Sequence, residues 1–367
     1  MRTLDDIRKE ITENDKQIAQ LFERRMNLSK EVADYKREHE MKVIDASREA
    51  AVVENFTNSL CNKTYAKWAS QLIHELMNCS KEYQRSLNTP PCITEISDTV
   101  ACQGTVGAYG EEAAIAYFGT NAHIRCLGEF SDVFQEVSCG KAKYGIVPIE
   151  NSSTGAIGSV YDLFGEYDCK IAGEYVLKIN HSLMACEGAD IDGITDVYSH
   201  TQGFEQCAEF LKKYPHLNLI PYHNTAVSAK YVSECGDKTK AAIASKRAAQ
   251  IYNLKILAEN INSNYNNYTR FVVISKSDCT HEKADKVSVM LRLAHKKGQL
   301  GMLMRHFDEY GVNLLKIESR PIPDRSWEYS FFIDFEANLN NSEMEGLTDK
   351  LRSDSEAFCI LGNYKSA

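Results

Sequence analysis

The chain has 367 residues, of which 43% are hydrophobic and 25% charged, with a net charge of -9. That length exceeds one ordinary core and points to two or three domains, and the acidic balance argues against nucleic acid as a partner, so an anionic ligand needs locally gathered Arg and Lys. No run approaches the roughly 20 apolar residues of a membrane span. The N-terminal MRTLDDIRKEITEND lacks the apolar run of a signal peptide. Twelve scattered cysteines without a C-x-x-C pair fit a reduced, cytoplasmic protein with no disulfide scaffold, and the histidines show no metal-ligand spacing.

From Thr3 to Ser86 there is no proline and no glycine. Apolar residues at Leu4, Ile7, Ile11, Ile18, Leu21, Phe22, Leu28 and Val32 predict one helix from Leu4 to about Glu38. A break near Glu40 to Ile44 precedes a second helix capped by Asp45, and a third spans about Tyr65 to Arg85. The first helix is roughly 50 Å long at 1.5 Å per residue. It is too long to bury its apolar stripe within one small unit, so a partner chain is expected. Arg25 and Lys36 fall within roughly 20° of each other on this helix, on the side of Leu28 and Val32. Asp45, Arg48 and Glu49 share a face of the second helix, and Ser80 and Gln84 share one on the third. Singly, each reads as a solvated charge or an i,i+4 pair. As a set they describe a polar pocket inside a helical dimer.

The combination R-x-x-L-x-x-x-V-x-x-x-K (Arg25 to Lys36), VIDASRE and S-x-x-x-Q resembles the all-helical chorismate mutase family across residues 1–87. The resemblance implies an intertwined homodimer in which Arg8 enters the other subunit's site. It implies Arg8 and Arg25 on the two substrate carboxylates, as suits guanidinium forks. By the same resemblance Lys36 and Gln84 donate to the ether oxygen, Asp45 and Glu49 receive the hydroxyl, and Arg48 and Ser80 complete the pocket. Chorismate rearranges to prephenate intramolecularly, so folding the dianion and stabilising charge on that oxygen suffice.

Residues 88–98, with Pro90 and Pro91, read as a linker. Over 99–278, apolar strands (KYGIVPIE, DVYSH, FVVIS) alternate with helices (GEEAAIAYFG, FEQCAEFLKKY, TAVSAKYVSEC), which predicts α/β layering. The stretch GIVPIENSSTGAIGS sets five polar residues, Glu150 to Thr154, between a strand and a glycine. Alone, Glu150 is a loop carboxylate, His200 a structural histidine and Thr269 a strand-edge threonine. Gly104, Gly107 and Gly110 form no dinucleotide fingerprint, although such a turn can offer backbone N–H groups to an anion.

In order, ACQGTVGAYGEEAA, GIVPIENSS, VYSHTQGFEQC and NNYTRFVVIS resemble the prephenate dehydratase family. This implies two α/β lobes around a cleft that grips prephenate, excludes water and expels carbon dioxide and hydroxide. Thr269 is then the donor to the leaving hydroxyl. Glu150 is an acid at the cleft mouth when burial raises its pKa. Arg270 binds a carboxylate or organises the loop, and Asn151, Ser152, His200 and Gln202 orient the substrate. Thr201 stands where the family usually has proline, and Gly110 where it often has serine.

Residues 285–365 read β-α-β-β-α-β, a ferredoxin-like order that by itself carries no function. NLLKIESRPI and KKGQLG resemble the effector motifs of ACT-type regulatory domains. That resemblance implies phenylalanine held by Gly298, Leu300, Glu318, Ser319, Arg320 and Pro321, with Gln299 in place of a small residue. Together the blocks imply a multidomain protein: an all-α helical mutase domain, a two-lobed α/β dehydratase domain and an α+β ferredoxin-like domain. Its substrates are chorismate and prephenate, its effector phenylalanine and its state a homodimer or higher oligomer, with no metal or organic cofactor. The alternative keeps only the mutase and makes the second block a non-catalytic sensor of aromatic metabolites.

Overall fold

The computed structural model describes residues 2–38, 46–87, 99–277, 282–322, 325 and 327–367, with backbone alone at 37–38, 46–50, 78, 81–82 and 84–87. The chain forms two units, Met1–Pro91 and Cys92–Ala367. Among the described residues no helix is long and apolar enough to cross a membrane.

The first unit contains α1 (Leu4–Glu38), α2 (Ala46–Asn58) and α3 (Ala66–Leu87). Helix α3 packs on α1 and α2 through Ala69, Ile73 and Met77, and only the C-terminal part of α1 answers it, with Ser29 and Ala33 buried. These two small residues let the helix axes approach closely. Residues 2–24 are exposed throughout. Leu4, Ile7, Ile11, Ile18, Leu21, Phe22, Leu28 and Val32 all lie open.

The second unit begins with a lobe built from β1 (Thr99–Gln103), α4 (Tyr109–Phe118), β2 (His123–Leu127), α5 (Phe130–Ser138), β3 (Tyr144–Asn151), β4 (Gly155–Ala156), α6 (Gly158–Glu166) and β5 (Lys170–Lys178). The chain then crosses to a second lobe: β6 (Ser182–Ala185), β7 (Asp196–Ser199), α7 (Thr201–Gln206), α8 (Ala208–Leu211), β8 (Asn218–Pro221), α9 (Thr225–Cys235), β9 (Lys240–Ala244), α10 (Lys246–Ile251) and β10 (Lys255–Ala258). It returns as β11 (Tyr268–Ser275), which slots between β3 and β5. The first sheet is ordered β2-β1-β3-β11-β5, with β4 on β3, and the second β10-β6-β9-β7-β8.

One helix was expected over FEQCAEFLKKY, but it breaks at Cys207. The returning segment is the cause. The Ser263 N–H takes the Gln206 carbonyl at 2.7 Å, and the Ser263 hydroxyl accepts the Glu209 N–H at 3.0 Å.

The two crossings are tied together by Asn262. Its side chain accepts from the His181 N–H (2.7 Å) and donates to the Ile179 carbonyl (3.0 Å). The buried His181 ring lies between the Tyr109 hydroxyl (3.0 Å) and Gln206 Oε1 (2.8 Å).

The remainder is β12 (Lys286–Arg292), α11 (Gln299–Glu309), β13 (Leu314–Pro321), β14 (Tyr329–Phe335), α12 (Glu343–Ser353) and β15 (Ala357–Tyr364), with sheet order β13-β14-β12-β15. One face of this antiparallel sheet forms a core with α11 and α12 around Leu303, Phe307, Leu347 and Leu351. The other face joins the first lobe's core, where Phe332, Leu361 and Tyr364 meet Tyr161 and Ile171.

Burial holds the His181 pKa below its ordinary 6.5, against the opposing Gln206 hydrogen bond. The unfolded chain therefore binds more protons, and stability rises with pH. The contribution is full above about 6.5 and is lost as pH falls toward the lower folded value. We expect the melting temperature of the second unit to drop between pH 7.5 and 5 more steeply in the native protein than in His181→Gln. Parallel pH slopes in calorimetry would contradict this.

Candidate active site

Strands β3 and β11 run antiparallel, with Asn151 opposite Thr269 and Glu150 opposite Arg270. Successive side chains on a strand point to opposite faces, so the two pairs serve two different places.

Asn151 and Thr269 are buried together. The Asn151 amide donates to Thr269 Oγ1 at 3.0 Å, to Asn267 Oδ1 at 2.8 Å and to the Tyr268 carbonyl at 3.1 Å. Its oxygen accepts from the N–H groups of Ser153 (2.9 Å) and Thr154 (3.1 Å), which winds residues 151–154 into a turn. Ser152 fastens that turn from outside, donating to the Asn266 carbonyl and accepting the Tyr268 N–H. The Thr269 oxygen accepts from Asn151, so its own hydrogen is oriented to donate elsewhere.

The second lobe meets this turn through Gln202, whose amide donates to Thr154 Oγ1 at 2.8 Å. It also meets the glycine turn after β1. Ser245 donates to the Gly107 carbonyl (3.1 Å), Tyr252 to the Val106 carbonyl (2.7 Å), and Arg247 to Glu111 (3.1 Å). A Cβ at Gly110 would lie 2.8 Å from the Gln103 carbonyl oxygen, so here glycine permits a close backbone approach that serine would disturb.

Other expected residues fall elsewhere. His200 is exposed and caps α7, its Nδ1 accepting the Gln202 N–H at 3.3 Å. Glu150 and Arg270 face the C-terminal sheet. Arg270 Nη1 reaches Asp334 at 2.8 Å and Glu174 at 3.3 Å, and Nη2 lies 3.4 Å from Glu150. The other Glu150 oxygen meets Lys316 at 2.7 Å. Arg270 is thus occupied by three protein carboxylates, which fits the organising role among its two expected ones, and Glu150, expected as an acid at the cleft mouth, sits between two cations. Burial alone would lower the Arg270 pKa, but Asp334 and Glu174 outweigh it and raise it well above the ordinary value. Asn267 was missed although it stands in NNYTRF. Only 1% exposed, it receives the Asn151 amide.

The effector motif also divides. Ser319 and Pro321 pair in register with Phe331 and Tyr329. Those aromatics line a cavity of about 370 Å³ together with Leu293, Gln299 and Leu300, next to Gly298. Glu318 and Arg320 point to the other side of β13. Arg320 makes a two-pronged bond to Asp162 on α6 at 2.8 and 2.7 Å, which raises its pKa, and its guanidinium rests on Gly158, where a side chain would collide. Arg320 is thus a docking residue, contrary to the expectation that it belongs to the effector pocket.

In the first unit, Arg25 is half-buried with an unbonded Nε, and Lys36 is half-buried on the same side. Ser80 is buried and donates to the Leu76 carbonyl at 2.9 Å. Arg8 is exposed beside Asp5. Asp45 and the side chains of Arg48, Glu49 and Gln84 lie outside the described residues.

A helical unit with aligned cations, followed by two α/β lobes bridged over a buried Asn–Thr pair, is the architecture of an enzyme with two sites. The family model for prephenate dehydratase matches residues 100–279, and that for chorismate mutase type II matches 7–85. The bifunctional chorismate mutase/prephenate dehydratase of Aquifex aeolicus is 32% identical over 373 residues, covering 100% of this chain and 99% of the relative. Among solved structures, the prephenate dehydratase from Arthrobacter aurescens in complex with L-Phe aligns at a TM-score of 0.69 and 28% identity, over 73% of this chain and 90% of that one. GqqA, described as a novel type of quorum quenching acylase, aligns at 0.67 and 25%, over 73% and 98%. The chain belongs to the bifunctional chorismate mutase/prephenate dehydratase family.

Asn151→Ala strips Asn267 and Thr269 of a buried partner. Leaving a buried polar group unmatched costs about 1–3 kcal/mol. We expect that loss in chemical denaturation of the second unit, and an unchanged midpoint would contradict the network.

Proposed function

We propose that the chain rearranges chorismate to prephenate in its helical unit and converts prephenate to phenylpyruvate in its two-lobed unit, with phenylalanine as feedback effector. The mutase part takes residues 1–87, the dehydratase part 99–278 and an ACT-type regulatory part 285–365. The observation that carries the reading is the buried Asn151–Thr269 pair beneath an interlobe bridge, in a chain aligned end to end with a bifunctional relative.

In the dehydratase part, Asn151 fixes the Thr269 oxygen, so that the Thr269 hydrogen can bond the departing hydroxyl of prephenate. The C–C pair of the leaving carboxylate enters the ring as the C–O bond breaks, and the fixed donor meets the charge that develops on oxygen. Gln202 and Ser152 hold the turn in place. In the mutase part, Arg25 and Lys36 supply the half-buried cations that a dianion needs. Arg8, Asp45, Arg48, Glu49, Ser80 and Gln84 complete that pocket by the family pattern. The open apolar stripe of α1 is read as the surface that a second copy covers, which makes the protein a homodimer.

Purified protein given chorismate should release prephenate and then phenylpyruvate, followed by chromatography. Thr269→Val should cut phenylpyruvate formation by about 10²–10³-fold, as loss of one fixed donor does, and leave prephenate formation intact. Arg25→Met should cut both products from chorismate but leave phenylpyruvate formation from added prephenate intact. A Thr269→Val enzyme with native dehydratase turnover would refute the assignment, and native protein that stops at prephenate would favour the sensor reading.

The cavity beside Gln299 and Leu300 has room for a phenylalanine side chain, and the L-Phe complex of the Arthrobacter enzyme supports this choice of ligand. Phenylalanine should therefore lower phenylpyruvate output. Gln299→Ala, which opens the pocket, should shift the inhibition curve to lower concentration. An unmoved curve would place the effector elsewhere.

A further inference from the structure

We propose that Asp334, on β14 of the C-terminal sheet, is a positioning residue for the dehydratase reaction: it holds Arg270, and through Arg270 the strand that presents Thr269. The inference rests on the dehydratase reading above.

Asp334 uses both oxygens. Oδ2 accepts from Arg270 Nη1 at 2.8 Å, and Oδ1 accepts from the Ser288 hydroxyl at 2.6 Å. The only Ser288 hydrogen is thereby committed, so the Tyr364 hydroxyl, 2.7 Å away, donates to Ser288. A chain Tyr364–Ser288–Asp334–Arg270 results, and its first two side chains are almost fully buried. It enters β11 one residue from Thr269. On its β5 side β11 is paired without a break from Tyr268 to Val273, but on its β3 side the register shifts between Arg270 and Phe271, so Arg270 is held by the chain at the irregular point of the pairing that sets Thr269 against Asn151.

Charge makes the same point. The first lobe brings Arg270 against Glu150 and Glu174, one cation to two anions. The C-terminal sheet brings Lys286 and Lys316 with Asp334, two cations to one anion. Lys286 lies 2.6 Å from Glu174, and Lys316 lies 2.7 Å from Glu150. Only the joined domains are neutral, and buried charges tolerate no remainder. The dehydratase site is therefore complete only with the C-terminal sheet docked.

The test uses the full chain. Asp334→Asn keeps the shape and removes the charge, and Asp334→Ala removes the group. We expect dehydratase kcat to fall about threefold in the first and at least about tenfold in the second, the latter being about 1.4 kcal/mol of barrier. KM for prephenate should stay within about twofold, as for a group that does not touch substrate. Mutase turnover of the same molecules should be unchanged. Native kcat in Asp334→Ala, or a change confined to KM, would overturn the proposal. If Asp334→Ala does not fold, kcat of Asp334→Asn decides in the same way, and native kcat there overturns it. Native protein that fails to turn over prephenate would refute the dehydratase reading itself, which separates the two failures.

Discussion

One strand pairing sets the second unit. With β3 against β11 in a register that matches Asn151 to Thr269, Glu150 must face Arg270 on the reverse side. A slip of one residue would exchange the faces. Slipping β11 would turn Thr269 toward the C-terminal sheet and Arg270 away from it, which splits both the amide–hydroxyl pair and the ion cluster. The proposed catalytic face and the docking face are thus one constraint read from two sides. Only the return of the chain through β11, after a whole second lobe, makes that pairing possible.

The docking face combines charge with apolar area. Tyr161 and Phe332 meet edge to face at 4.9 Å, a geometry worth about 0.5–1.5 kcal/mol beyond area burial. Six charges close around them. Removing one member of such a buried set costs about 3–5 kcal/mol, because its partner remains uncompensated. The set gives register more than adhesion: Lys316 and Arg320 lie on one face of β13 and meet Glu150 and Asp162 respectively. Helix α6, which carries Asp162, begins seven residues after Asn151, so the C-terminal sheet grips both ends of the polar turn.

Much of the fold was legible because its periods are clean. Helix α1 runs over Leu4–Glu38 as its spacing predicts, and α9 coincides with TAVSAKYVSEC. The exceptions have physical causes. Cys207 interrupts a periodic run because Ser263, 56 positions later, takes its neighbour's carbonyl, and no local pattern contains that. The candidate site was legible as residue types but not as directions. Glu150 and Asn151 are adjacent letters, as are Thr269 and Arg270, and family motifs list them side by side. Strand alternation separates each pair, and nothing in the order of the letters says which side is the cleft. The same alternation divides Glu318 and Arg320 from Ser319 and Pro321.

The first unit poses a different physical problem. Within one chain, α3 covers α1 only around Ser29 and Ala33. Arg25 and Lys36 sit at the border of that contact, and Leu28 and Val32 lie on its open flank, so the cations stand between a buried seam and an uncovered one. A monomeric surface carries scattered apolar residues without difficulty, but the nine large ones exposed along a single 35-residue helix, Tyr35 included, form a stripe that supports the proposed pairing of two copies. Covering that flank would also exclude water from Arg25 and Lys36, and a guanidinium or ammonium binds a dianion far more strongly out of water than in it. The proposed pairing of two copies would then serve stability and chemistry by one contact, since the surface that completes the fold is the surface that dries the cations.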